Sequence, residues 1–89
     1  MQFVFYSDPG HGWVKVPVVL LRQLKITDKI SRFSYCRGDY AYLEEDSDAG
    51  IFIEAMKKAS KEVSFKESST DRQSRIRNYN SYEKEKMNG

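Results

Sequence analysis

Two short segments near opposite ends of this 89-residue chain carry the side chains best suited to chemistry. Residues 6–13 read YSDPGHGW, and residues 68–79 read SSTDRQSRIRNY. A small core does not select glycine, proline, histidine and arginine at this density, whereas binding loops on a rigid scaffold do. We therefore predict a ligand-binding site formed by Tyr6, Ser7, Asp8, His11, Trp13, Arg72, Arg75, Arg77 and Tyr79.

The arginine-rich segment, residues 68–79, favours the binding of an anion. A planar guanidinium group presents a fork of N–H donors that matches a phosphate or a carboxylate. The three arginines can converge on one anion if the segment curls, with Ser69, Thr70 and Ser74 as additional donors and Tyr79 and Tyr82 as rings for stacking. In the alternative interpretation, they pair with the acidic residues 44–48 through exposed ion pairs, each worth under about 1 kcal/mol. The charge pattern does not decide between these two readings.

Residues 6–13 give weaker evidence for a catalytic or binding role. His11 could act as a general base oriented by Asp8, with Ser7 as a nucleophile, but this spacing lacks the strand-to-helix context of a nucleophile elbow. A histidine between two glycines is more typical of a turn or a neutral ligand contact, and Ser7 can cap the Asp8-Pro9 turn. Trp13 is either a core anchor or a platform for stacking. We predict no catalytic residue, and a hydrolase ranks as a distant third hypothesis.

An acidic run, residues 44–48, precedes an apolar stripe at helical spacing. Carboxylates and a Ser or Asp cap at a helix N-terminus satisfy free backbone N–H groups and complement the helix dipole. A divalent metal site is the alternative, but the run lacks the regular spacing and central glycine of a calcium loop. We therefore predict no metal and no cofactor.

Composition limits the architecture and the setting of the protein. Eighty-nine residues suffice for one modest core, which predicts a single domain over residues 1–82 and a frayed charged tail over residues 83–89. A net charge of +2 gives no global attraction for a polyanion, so an anion site must be local. The single cysteine, Cys36, excludes an internal disulfide and a one-chain Cys-based zinc site. Without a signal peptide or a membrane-spanning run, the chain is expected in the cytoplasm.

The elements that must position these segments alternate along the chain. Period-two patterns predict strands over residues 2–6, 13–16, 33–37, 40–43 and 63–67, with turns at residues 8–10 and 38–39. One helix is predicted over residues 17–24 and a second directly after the acidic run, with Ile51, Ala55, Met56 and Ala59 as its apolar stripe, and a short turn is predicted at residues 27–30. Residues 76–82 are predicted as a helical turn or an extended segment. This order predicts an α+β fold, a mostly antiparallel sheet of about five strands with two main helices on one face.

The chain also resembles a family of short uncharacterised bacteriophage and prophage proteins. The resemblance rests on residues 5–13, with their FYSDPxHGW motif, and on residues 28–31, 35–39, 42–46 and 67–79. It implies a context and no activity, fold or catalytic residue. Small phage proteins act in the bacterial host cytoplasm, where many bind a host enzyme, a nucleic acid or a defence component.

Two hypotheses of function follow. The first is a non-enzymatic binding module that grips a phosphate-bearing ligand, a nucleotide or a nucleic acid, through the arginine-rich segment and the DPGHGW loop. A symmetric homo-oligomer could complete its pocket. The second is a protein inhibitor or adaptor that docks on a host protein involved in defence or replication, with aromatic residues as its anchor. Neither hypothesis involves a membrane.

Overall fold

A six-stranded mixed sheet forms the frame of the protein in this computed structural model, which describes residues 1–87. Across the sheet the strand order is β5-β1-β2-β4-β3-β6, and β5 is parallel to β1 while the other neighbouring pairs are antiparallel. The strands are β1 Gln2–Ser7, β2 Gly12–Pro17, β3 Tyr35–Arg37, β4 Tyr40–Glu44, β5 Ser64–Ser69 and β6 Asn80–Ser81. The helices are α1 Val18–Gln23 and α2 Asp48–Lys58, and 3₁₀ turns occupy Thr27–Lys29, Arg75–Asn78 and Lys84–Lys86. The predicted α+β fold is confirmed.

Strict alternation along the central strands gives the sheet two different faces. In β2, Val14 and Val16 lie on one side with both helices, whereas Trp13 and Lys15 lie on the other. We call these the helix face and the aromatic face. The helix face includes Phe3, Val14, Val16, Ala41 and Leu43, and the aromatic face includes Tyr6, Trp13, Lys15, Tyr35 and Tyr42.

The helix face holds the main core. Leu21 of α1 and Phe52 and Met56 of α2 are fully buried there. Phe52 meets Phe3 of β1 edge-to-face, with ring centroids 5.1 Å apart. Burial of each such side chain contributes about 1.5–3 kcal/mol, so these contacts fix both helices on the sheet.

The acidic run does not cap α2 in the predicted way. Ser47 occupies the N-cap position without a side-chain capping bond, and its hydroxyl donates to Glu44 instead. The Asp48 carboxylate is buried and accepts hydrogen bonds from the Ser31 amide, the Ser31 hydroxyl and the Ser34 hydroxyl at 3.0, 2.7 and 2.5 Å. Asp48 therefore fastens the start of α2 to the segment before β3, a tertiary contact that capping preferences do not anticipate.

The end of the chain crosses from one face of the sheet to the other. The Arg75–Asn78 turn lies on the aromatic face, β6 pairs with β3 at the sheet edge, and Tyr82 and Met87 enter the helix-face core. The buried Tyr82 hydroxyl donates to the Thr27 carbonyl at 2.6 Å, so its ring is not open for stacking. Of the predicted frayed tail, residues 88 and 89 lie outside the described residues.

Neither α1, α2 nor any 3₁₀ turn between residues 1 and 87 has the length and hydrophobicity required to cross a membrane.

Candidate functional site

Asp8 joins the two predicted binding segments. Its Oδ2 accepts from Arg77 Nε at 2.7 Å and from the Ser74 amide at 2.9 Å. Its Oδ1 accepts from Arg77 Nη2 at 2.9 Å and from the amides of Gly10 and His11, both at 3.0 Å. The sequence left open whether segments more than 60 residues apart meet, and this buried carboxylate brings them together.

The protonation states of this pair are fixed by their contacts. The Arg77 guanidinium, supported by the backbone N–H groups of Ser74, Gly10 and His11, holds the pKa of Asp8 well below its usual range. Asp8 in turn raises the pKa of Arg77. A bidentate Arg–carboxylate contact of this kind is among the stronger hydrogen-bonded pairs in proteins, so both groups are committed to positioning the arginine-rich segment.

An aromatic cluster supports the same segment from below. Trp13 and Tyr42 of the sheet and Ile76 of the Arg75–Asn78 turn are buried together, with Tyr6 and Tyr79 partly buried at the edge. The Tyr42 ring centroid lies 5.0 Å from that of Tyr79 and 6.3 Å from that of Tyr6. Because Trp13 is only 2% exposed, it is a core anchor of this face, and its ring offers no open platform for a ligand.

A groove of about 680 Å³ lies between the arginine-rich segment, β5 and the central strands. Three of its lining residues are cationic, eight carry hydroxyl groups and none is acidic. The cations are Lys15, Arg72 and Arg75; the hydroxyls belong to Tyr6, Ser7, Tyr42, Ser68, Ser69, Thr70, Ser74 and Tyr79; and Gln73, Ile76 and Asn78 complete the lining.

The electrostatics of this groove favour an anion. Within residues 1–87, the side chains of Lys15, Arg72 and Arg75 form no ion pair, so their charges are available to a ligand. Burial, together with the neighbouring hydroxyls of Tyr79 and Tyr6, raises the pKa of Tyr42. Its phenol therefore remains a neutral hydrogen-bond donor at physiological pH. Several donors around a site without carboxylates suit a phosphate group.

The predicted convergence of three arginines is only partly realised. Arg72 and Arg75 line the groove, whereas Arg77 turns to Asp8, with its guanidinium 5.7 Å from the Trp13 ring centroid. Arg77 thus holds the segment in place. The alternative pairing with the acidic residues 44–48 does not occur among the described residues, since Arg77 pairs with Asp8 and Arg72 and Arg75 make no ion pair.

The hydrolase arrangement of Ser7, Asp8 and His11 does not assemble. Asp8 receives the backbone N–H of His11 rather than its imidazole, and both carboxylate oxygens are already bonded. Ser7 lines the groove, while His11 lines a separate cleft of about 310 Å³ with Trp13, Phe33, Tyr35, Glu44, Asp46 and Arg77. Ser7 and His11 therefore border different depressions of the surface.

Lys15 and Tyr42 are groove residues that the sequence prediction missed. Lys15 lies between Val14 and Val16, and Tyr42 lies between Ala41 and Leu43, in strands whose apolar residues face the helices. A polar or aromatic residue at the intervening positions must face the opposite side of the sheet. This alternation indicates that Lys15 and Tyr42 share one side of the sheet. It does not indicate that the arginine-rich segment covers that side.

No protein-family model matches this chain, and neither a curated protein nor a solved structure shows significant similarity to it.

Proposed function

We propose that the protein is a non-enzymatic binding module whose groove takes a phosphate-bearing ligand, a nucleotide or a nucleic acid. The observation that carries the proposal is the lining of the groove, which includes Lys15, Arg72 and Arg75 together with eight hydroxyl-bearing residues and no acidic residue. An anion gains charge-assisted hydrogen bonds there and meets no repulsion from the wall.

The two segments have different parts in this function. Arg72 and Arg75, together with Lys15 of β2, supply the positive charge that contacts the ligand. The DPGHGW loop acts one step away, because Asp8 holds Arg77 and the Ser74 amide and thereby fixes the curvature of the segment. Rigid positioning lowers the entropy that the arginines lose when a ligand binds.

The setting we propose is the cytoplasm of a bacterial host, in keeping with the resemblance to short phage and prophage proteins. A protein with a net charge of only +2 does not attract polyanions by its overall field. Binding would depend on the local groove and would weaken as salt competes for the phosphate contacts.

The test is a titration of the ¹⁵N-labelled protein with inorganic phosphate and with adenosine monophosphate, followed by NMR. We expect saturable shifts in the amide resonances of residues 68–79 and of Lys15. An Arg72→Ala/Arg75→Ala double variant should lose this response.

The matched control is Lys57→Ala/Lys58→Ala, which removes the same two positive charges from exposed positions in the last turn of α2. This control should bind as the wild type does. If both double variants lost binding equally, the groove would have no special role. The absence of any saturable response in the wild type would overturn the proposal outright.

A second function is favoured by one observation, an exposed aromatic side chain beside acidic residues. Phe33 is 74% exposed at the rim of the cleft that also contains Glu44 and Asp46. An inhibitor or adaptor of a host protein would use such a ring as an anchor. In that case Phe33→Ala would abolish a host-protein complex detected by native mass spectrometry and leave the phosphate response intact.

A further inference from the structure

The uncovered part of the aromatic face continues from the groove across neighbouring strands. The register places Lys66 of β5, Val4 of β1, Lys15 of β2 and Tyr42 of β4 side by side in one row. Lys15 lines the groove, as do Ser68 and Ser69, the residues that follow Lys66 and Glu67 on β5. The row therefore leads out of the groove onto open sheet surface.

Charge on this open surface is positive. Three cations lie on the aromatic face. Lys15 alternates with Val14 and Val16 of the helix face, and Lys66 is in register with Lys15 through Val4. Arg37 pairs with Tyr40, which is two residues from Tyr42 on the same side of β4. Glu67 lies on the opposite side, level with Phe5, which packs against the helix-face core. Among the described strands, the aromatic face carries one carboxylate, Glu44, next to Trp13 at the far end.

Aromatic rings accompany these cations. The Lys15 Nζ lies 4.2 Å from the centroid of the Tyr40 ring, and the Arg37 guanidinium lies 5.1 Å from that of Tyr79. Tyr40 is 40% exposed, so part of its ring is open to a planar partner. Cations interleaved with rings bind the alternating phosphates and bases of an unpaired strand, because an aromatic side chain can stack only on a base whose face is not covered by the neighbouring base pairs of a duplex.

We propose that the ligand of the groove is a single-stranded nucleic acid, which runs out of the groove and across β1, β2 and β4 with a base on Tyr40 and phosphates on Lys15 and Lys66. This inference rests on the proposed function and specifies its ligand. Lys66 on β5 and Tyr40 on β4 are three strand spacings apart, about 14 Å at the usual distance between neighbouring strands, so a strand of more than one nucleotide is needed to contact both. A duplex would present its phosphates and leave Tyr40 without a partner.

The experiment measures fluorescence anisotropy with labelled decanucleotides: single-stranded DNA, single-stranded RNA and a ten-base-pair duplex, with adenosine monophosphate as competitor. We expect both single strands to bind more tightly than the duplex and the mononucleotide. A difference between the DNA and RNA strands would identify which sugar the face prefers.

Two variants lie outside the groove lining and test the extension. Because Lys15 contacts the Tyr40 ring, phosphate titration of each variant checks that the groove itself still responds. Tyr40→Leu keeps apolar bulk and removes the ring, and it should weaken single-strand binding about tenfold. Lys66→Ala should lower the slope of log affinity against log salt by about 0.7, the value for one phosphate contact on a single strand. Lys58→Ala, on α2, is the charge-matched control and should change neither quantity.

The outcomes separate this inference from the proposed function. If inorganic phosphate still shifts the groove resonances but single strands bind no more tightly than adenosine monophosphate, the inference fails and the phosphate site stands. Unchanged single-strand affinity in Tyr40→Leu together with an unchanged salt slope in Lys66→Ala would overturn it in the same way. If the wild-type protein responded neither to inorganic phosphate nor to the oligonucleotides, the proposed function would fail as well.

Discussion

The two faces of one sheet contrast in how they are covered. The helix face is sealed by α1 and α2, and its central residues, such as Val16 and Leu43, are fully buried. The aromatic face is covered only in part, by the Arg75–Asn78 turn, which buries Trp13 and leaves Tyr6 and Tyr79 at the edge of a groove.

The difference shows how one sheet can carry a sealed core on one side and a partly open surface on the other. Aliphatic side chains on the helix face need only apolar neighbours, so packing satisfies them completely. Tyrosine on the other face buries its ring and keeps its hydroxyl at a polar boundary. A face built of such residues can be half core and half binding surface, and partial cover by a polar segment leaves room for a ligand.

Removing a buried aromatic ring from either face of the sheet should have the largest effect on stability. Trp13→Ala and Phe52→Ala should each lower the free energy of unfolding by about 3–5 kcal/mol, since each removes a fully packed aromatic side chain. Chemical denaturation checks this expectation. Phosphate titration by NMR should then distinguish the two variants: Trp13→Ala should lose phosphate binding and Phe52→Ala should keep it, because only Trp13 supports the arginine-rich segment. Equal retention of phosphate binding by both variants would show that the groove does not depend on the aromatic cluster.

The next effect concerns the carboxylate that joins the segments. Asp8→Asn leaves Arg77 without its ion-pair partner, and we expect the melting temperature to fall by roughly 10 °C or more at neutral pH. The depressed pKa of Asp8 in the fold also means that the unfolded chain binds more protons below about pH 4. Its stabilisation is therefore present above that pH and is lost as the pH falls further.

Denaturation of wild type and Asp8→Asn between pH 5 and pH 2 tests this linkage. The variant should lose less stability over that interval than the wild type. Asp71→Asn, at an exposed position of the same segment, is the control and should follow the wild type. Parallel curves for the wild type and Asp8→Asn would contradict the role given to Asp8.

The smallest change in stability is expected at Tyr82, where the C-terminal segment enters the helix-face core. Burial raises the pKa of Tyr82 to about 12, so the neutral phenol contributes stability below pH 10 that is lost as the pH rises toward 12. Tyr82→Phe should cost about 1 kcal/mol at pH 7 through the hydrogen bond to Thr27 and should lose less stability in alkali. Chemical denaturation at pH 7 and pH 11 measures both free energies of unfolding, and Tyr40→Phe, at an exposed position, is the control. If Tyr82→Phe lost as much stability between pH 7 and pH 11 as the wild type does, the role given to the Tyr82 phenol would be contradicted.

Much of the fold was predictable because its signals are local. Aromatic and β-branched content and alternation predicted the first five strands, Pro17 and the spacing of Met56 with its neighbours predicted the helices, and Gly38-Asp39 predicted the hairpin turn. Gly38 has a positive φ of 60°, as expected of glycine at the first position of a two-residue turn. The two-residue strand β6 was not predicted, because so short a strand exists only through its pairing with β3.

The site was predictable only in part, since its residues meet through contacts distant in sequence. Arginine and hydroxyl content marked residues 68–79, but the separation of Arg77 from Arg72 and Arg75 depends on the position of Asp8, 69 residues away. The roles of Asp48 and Tyr82 likewise follow from long-range hydrogen bonds that no local pattern encodes.

Side-chain type and period were enough to predict the main strands and helices, the two-sided character of the strands and an arginine-rich segment with few carboxylates. Long-range contacts in the folded chain determine which arginines remain free, the burial of Trp13 and the place of Lys15 in the groove, because polar groups compete for partners. A buried carboxylate must be satisfied, and whichever cation the fold brings to Asp8 is no longer available to a ligand.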